Sequence, residues 1–230
     1  MSLILHAHPL SSFCHKVLIA LYEAGTPFEF RLYNPGDAAS RTAHLALWPP
    51  GQMPVLQDES RNQIVPETTI IIEYLDRHHP GARRMLPADP DACLETRLWD
   101  RFSDFHVMLP LQRAVAARIA GDAAQETKVM AEVVAKLEIS YGVLEQRLAG
   151  REWLGGGDGF GLADCAAEPA LFYASAILPF EKKFPALSAY FDRLLQRASV
   201  QRVLKEAGPW IQYFPLLATL PPRYRAATGA

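Results

Sequence analysis

The 230-residue chain holds only three cysteines, Cys14, Cys93 and Cys165, odd in number and far apart. They make no disulfide framework, and a reducing, cytoplasmic compartment is the expectation. Charge of neither sign dominates: 23 Lys plus Arg stand against 25 Asp plus Glu, a formal net charge of −2. No basic excess exists to neutralise a phosphate backbone, so nucleic acid is not expected as a main partner. No apolar run approaches the ~18–20 residues that a spanning helix needs, so no membrane is expected either. The start, Met1-Ser2-Leu3-Ile4-Leu5, lacks the basic opening and long apolar continuation of a secretory signal. His6, His8 and His15, or the pair His78-His79, have no Cys or carboxylate set at ligand spacing, so no metal is expected. What is present is ordinary for a globular protein. Half of the residues are apolar and 21% are charged, in a chain long enough for one large domain or two small ones.

The first 80 residues alternate strand and helix signals. Leu3–Ala7 is a short apolar run of strand character. Phe13, Val17, Leu21 and Ala24 then recur at helical spacing, with Gly25 placed to end the helix. Phe28-Glu29-Phe30-Arg31-Leu32 alternates as a half-buried strand does. Asp37 to Leu47 has room for a short helix. Pro54-Val55-Leu56 and Gln63-Ile64-Val65 are short strand candidates, and Glu67 to His79 carries a third helix. The order β-α-β-(α)-β-β-α predicts a small α/β sandwich with a mixed sheet over residues 1–80. Residues 81–90 are rich in proline and form the expected linker, with Asp89 and Pro90 as a helix cap and first turn.

Residues 91–230 hold no strand signal. Leu94, Leu98, Phe102, Phe105 and Leu109 mark one face of a helix that Pro110 should kink or interrupt. Val129, Val133, Leu137, Tyr141, Leu144 and Leu148 mark a second. Leu162 to Phe172 is apolar enough to be central, with a bend expected at Pro169. Helices are also expected from Phe184-Pro185 and over Ser199 to Glu206.

Three short segments could carry chemistry. Ser11-Ser12-Phe13-Cys14 lies where a strand hands over to a helix. Orphan N–H groups and the positive end of the helix dipole gather there and stabilise an anion or a thiolate, although either serine also suits a plain helix cap. Met53-Pro54-Val55-Leu56 opens a strand on a proline, which belongs at an edge or beside a ligand. Glu67-Thr68 begins a helix, where a carboxylate and backbone donors could hold an α-amino and an α-carboxylate group together.

Together these segments resemble the glutathione S-transferase superfamily, over about residues 3–212. The other markers are the proline-rich linker and Gly161-Leu162-Ala163-Asp164. The resemblance implies a thioredoxin-like α/β N-terminal domain, an all-α C-terminal domain and glutathione as co-substrate. It implies a cis Pro54, with the main chain of Val55 pairing with the cysteinyl part of glutathione. Glu67 and Thr68 would hold the γ-glutamyl end. Ser11 would support the thiolate, with Ser12 and Cys14 as rivals. Gln52 stands where many members carry a lysine for the glycine carboxylate, leaving Arg41, His44 or Trp48 to replace it. Gly161 stands where the family carries Ser or Thr, and Asp164 can still bond back to residue 161. His106 and Met108 are candidates for the second substrate.

The implied activity is attack of the glutathione thiolate on a small electrophile, in a homodimer. A glutathione-dependent isomerase of the maleylacetoacetate type and a thiol–disulfide reductase are alternatives on the same site. A non-catalytic binding or regulatory protein is the alternative of a different class.

Overall fold

A computed structural model describes residues 2–157 and 159–229. Four strands form the N-terminal sheet: β1 (Leu3–Ala7), β2 (Glu29–Leu32), β3 (Val55–Asp58) and β4 (Gln63–Val65), in the order β2-β1-β3-β4. β2 runs parallel to β1, while β3 and β4 are antiparallel to their neighbours. The register sets Ile4 opposite Glu29, His6 opposite Val55 and Leu56 opposite Val65. The parallel pair requires a crossover, which α1 (Ser12–Ala24) supplies. All four residues of β2 are exposed, unlike the half-buried strand its alternation predicts. It is an outer strand paired only through β1, and Phe28, just before it, packs against the core instead.

Local chemistry accounts for the helix ends. Ser11 caps α1, and Gly25 ends it with φ near +65° while its N–H bonds to carbonyls of the last turn. Asp37 caps α2 (Ala38–Leu47) through the Ser40 N–H at 2.7 Å. α3 (Thr68–His78) follows Glu67, which has φ +69° and ψ +116°. Asp76 on α3 then grips the linker, its carboxylate accepting from the N–H groups of Met85 and Leu86.

The remaining elements are helical: α4 (Pro90–Phe102), α5 (Leu109–Ala120), α6 (Ala123–Leu148), α7 (Leu162–Ala174), α8 (Pro185–Leu195), α9 (Ala198–Ala207) and α10 (Pro222–Ala227). Pro110 sits in the first turn of α5, directly after a π-helical turn, Ser103–Met108, that separates α5 from α4. Leu94, Leu98, Phe105 and Leu109 are exposed, so the apolar stripe of α4 faces outward. The buried side of α4 and the π turn is partly polar: Asp100 and Asp104 meet the buried ammonium of Lys16 from α1, while the Thr96 and Ser103 hydroxyls donate to the Ala92 and Trp99 carbonyls one turn back.

Every residue of α7 is buried, and α7 packs against α1, α4 and the π turn. It runs as one helix through Pro169. At its start, the Asp164 carboxylate accepts from the N–H groups of Gly161 and Leu154 and from the Tyr190 hydroxyl. A Cβ on residue 161 would lie 2.7 Å from the Met85 carbonyl oxygen, itself bonded to the Leu162 N–H. The linker's close approach therefore requires glycine where a serine would clash.

Candidate active site

The strand-to-helix turn is built by its own backbone and held from behind. The Ser11 N–H donates to the His8 carbonyl at 3.0 Å, and the Leu10 N–H donates to His8 Nδ1 at 3.1 Å. His15 on α1 donates from Nε2 to the Pro9 carbonyl at 2.7 Å, and Tyr173 on α7 donates its hydroxyl to the Leu10 carbonyl at 3.0 Å. Both rings are buried. Burial pushes the His15 imidazole down to about 4, so it remains neutral, and raises the Tyr173 phenol well above its ordinary value. Neither group shows in the sequence as a partner of residues 9–10, because spacing along the chain carries no trace of a contact made across two elements.

Ser11 Oγ accepts from the Cys14 N–H at 3.4 Å, a long capping bond. Ser12 is not the cap: its Oγ accepts from Gln112 Nε2 of α5 at 3.1 Å. Cys14 lies in the core, with no exposed surface and its Sγ accepting from the His8 N–H. Burial pushes its thiol up to about 12, the opposite of what a reactive cysteine needs.

Two cavities meet at this turn. The first, about 190 Å³, is bounded by Phe13, Gln52, Met53, Pro54, Glu67, Thr68, Trp48 and, from across the domain boundary, Arg101, Asp104, Phe105 and Leu109. The second, about 580 Å³, takes in Ser11, Ser12 and Phe13 and is mostly apolar, with Leu111, Val115 and Ile119 of α5 facing Tyr213, Phe214 and Pro215. Phe13, Gln52 and Met53 border both. The Met53–Pro54 peptide bond is cis. Val55 contributes nothing to either wall: it lies in the sheet opposite His6 with its side chain fully buried, while Met53 and Pro54 edge the cavity.

An ionic cluster joins the halves of the molecule behind Glu67 and Thr68. Lys16 Nζ lies 2.6 Å from Asp100 Oδ1, 2.8 Å from Asp104 Oδ2 and 3.0 Å from Thr69 Oγ1, and Arg101 completes the group through Asp100, Asp104 and Thr69. Two cations balance two carboxylates, which is what burial of such charges demands. Burial raises the Asp104 carboxyl above its ordinary value, and the neighbouring Lys16 ammonium opposes that rise. Asp104 and Arg101 reach the first cavity wall, so this cluster belongs to the site as well as to the domain boundary.

The two second-substrate candidates are not on the cavity walls. Met108 is buried in the core, and His106 packs against the Phe102 ring. Both lie inside the π turn, whose i→i+5 bonding adds a residue to the helix; from this stretch Phe105 and Leu109 reach the first cavity, and Leu111 and Gln112 of α5 the second. The 3₁₀ segment Gly208–Tyr213 and the residues after it close the far side; no periodic signal marks that stretch in the sequence. Of the groups offered in place of a lysine at Gln52, Trp48 lines the first cavity, and His44 Nε2 is 3.0 Å from the Gln52 carbonyl with its ring stacked on Tyr33. Arg41 is on neither wall. Among the described residues, no group of three or more His, Cys, Asp or Glu side chains could hold a metal ion.

Comparison with known proteins identifies the family. Residues 5–83 match the family model of the glutathione S-transferase N-terminal domain, and residues 102–198 match that of the C-terminal domain. Glutathione S-transferase U22 of Arabidopsis thaliana is 30% identical over 205 residues, covering 86% of this chain and 87% of its own. A glutathione S-transferase of Methylobacterium radiotolerans, solved with glutathione sulfonate, is 29% identical, with a TM-score of 0.75 over 87% of this chain and 93% of that one. A glutathione S-transferase structure from Rhodospirillum rubrum, 22% identical, superposes with a TM-score of 0.80 over 98% of this chain and 99% of that one. With its thioredoxin-like sheet domain, its helical domain and both family models matched, the chain belongs to the glutathione S-transferase superfamily.

Proposed function

We propose that this protein is a glutathione transferase that ionises the glutathione thiol at Ser11 and directs it at an electrophile in the larger cavity. The observation that carries this reading is the meeting of Ser11, Met53-Pro54 and Glu67-Thr68 around two contiguous cavities. The smaller one offers the Glu67 carboxylate to an ammonium and the start of α3 at Thr68 to a carboxylate, with Asp104 beside them held by Lys16 and Arg101. That pairing suits the γ-glutamyl end of glutathione. The cysteinyl part then lies along Met53, with sulfur near the start of α1.

The chemistry needed is modest. A free thiol with pKa near ~8.5 is only ~3% ionised at pH 7. Lowering that value by ~2 units makes thiolate the main form, at a cost of about 2.7 kcal/mol in differential stabilisation. The Ser11 hydroxyl and the first turn of α1 are the groups at hand. The buried, proton-retaining Cys14 favours thiolate transfer over disulfide exchange. The three unpaired cysteines suit the cytoplasm. We place a second copy of the chain on the outward apolar stripe of α4 and α5, making a homodimer.

Isothermal calorimetry tests the reading. Glutathione should bind with one site per chain, and its S-conjugates should bind more tightly because their substituent fills the apolar cavity. Absence of binding at millimolar glutathione would sink it.

A further inference from the structure

One donor on the wall of the larger cavity has no part in thiol activation. In a neutral imidazole one nitrogen accepts and the other carries the proton. His8 Nδ1 accepts from the Leu10 N–H, so the proton is on Nε2. Burial lowers the basicity of His8, which keeps the ring neutral. Its plane is fixed edge-to-face against Trp210, with centroids 4.7 Å apart. Among the described residues nothing accepts from Nε2, and His8 lines the cavity three residues from Ser11. Two other polar groups on that wall are committed, the Tyr173 hydroxyl to Leu10 and the Gln112 amide nitrogen to Ser12, while Tyr213 at the far side is 66% exposed and its ring is not held as His8 is.

Resting on the transferase reading, we propose that His8 is a catalytic residue for one class of electrophile, α,β-unsaturated carbonyl compounds, whose oxygen its Nε2–H binds. The thiolate lone pair forms the S–C bond at the β-carbon. The alkene pair shifts to the bond between the α-carbon and the carbonyl carbon, and the carbonyl π pair moves onto oxygen. The His8 N–H steadies that enolate oxygen. Water then delivers a proton to the α-carbon, and no leaving group departs. A mostly apolar pocket with a ring-held N–H donor at its wall suits this addition better than displacement of a halide, which puts no charge on a carbonyl oxygen.

The test pairs two electrophiles of similar size, 4-phenyl-3-buten-2-one and benzyl chloride, with parent, His8→Phe and His8→Gln proteins. The parent should turn over the enone. His8→Phe should lower kcat for the enone by roughly a hundredfold, the scale of one lost oxyanion donor. The fall for the enone should exceed that for the halide at least tenfold, and His8→Gln, which keeps an N–H, should recover part of it. ¹⁵N shifts of His8 should show the Nε2–H form. Equal falls for both substrates, an enone rate indifferent to His8→Phe, no enone turnover by a parent that uses the halide, or an Nδ1–H form would each overturn the proposal while leaving the transferase reading in place. Loss of both activities in a parent that also fails to bind glutathione would overturn the two together.

Discussion

Glu67 shows how a site can be held against local preference. Its φ of +69° with ψ of +116° is a conformation that non-glycine residues rarely adopt, and such positions cost roughly 1–3 kcal/mol. A glycine would be relaxed here; the glutamate at the wall of the smaller cavity is consistent with a need for its carboxylate. The two roles separate by substitution. Glu67→Ala should weaken glutathione binding by about 1.5–3 kcal/mol, the loss of a charged hydrogen bond, with the backbone cost retained. Glu67→Gly should lose the same affinity yet unfold at a higher temperature than the alanine variant. Calorimetry and thermal unfolding on the three proteins read both effects, and a glycine variant that keeps parental affinity would remove Glu67 from the site.

At the scale of elements, α7 is the helix on which the others rest, and it carries a misfit. Both carboxylate oxygens of Glu168 are buried without a partner among the described residues, and burial pushes this group up to about 8. The fold therefore favours its protonated form. That contribution is complete below the unfolded value near 4.5 and is lost as pH rises towards 8. His15 has the opposite sign: a base held down to about 4 contributes fully above 6.5 and less as pH falls. Glu168→Gln should accordingly flatten the decline of unfolding temperature between pH 6 and 9, with little change at pH 5. Parallel curves for variant and parent across that range would show that Glu168 ionises without cost to the fold.

Legibility from sequence divided along the same line between local and long-range contacts. The strand–helix order was readable because periods of 2 and 3.6 are local, and Gly25, Asp89 and Pro90 were readable because caps act within one turn. The turn at Ser11, the proline at residue 54 and the Glu67-Thr68 pair were readable as short motifs. Lys16 with Asp104, 88 residues apart, was not, since only the packed domains bring them together. His106 and Met108 lie inside the π turn and off the two cavity walls, and a 3.6-residue period has no means of registering the extra residue that such a turn inserts.

For the whole molecule, Leu94, Leu98, Phe105 and Leu109 are exposed along α4, the π turn and the start of α5, the last two also bordering the smaller cavity. Ile70 of α3 is exposed as well. Strips of this kind mark surfaces that another protein covers, and a two-fold pair is the commonest way for a chain to cover its own. Light scattering at micromolar concentration should give twice the chain mass of 25.6 kDa. Leu98→Glu should shift the mass to that of one chain, with the spectrum of the folded protein retained. A parental mass of 25.6 kDa would contradict the homodimer.

The central claim is that the two halves of the molecule form a cleft in which glutathione loses its thiol proton beside Ser11. Thiolate absorbance of bound glutathione, followed against pH, measures this directly. The parent should titrate about 2 units below free thiol. Ser11→Ala should move the midpoint back upward and lower turnover, with glutathione affinity little changed and at most ~1 kcal/mol of cap stability lost. Ser12→Ala and Cys14→Ala should leave the midpoint near the parent's. A parent that titrates with free glutathione, or a midpoint that follows Ser12→Ala while ignoring Ser11→Ala, would contradict the claim.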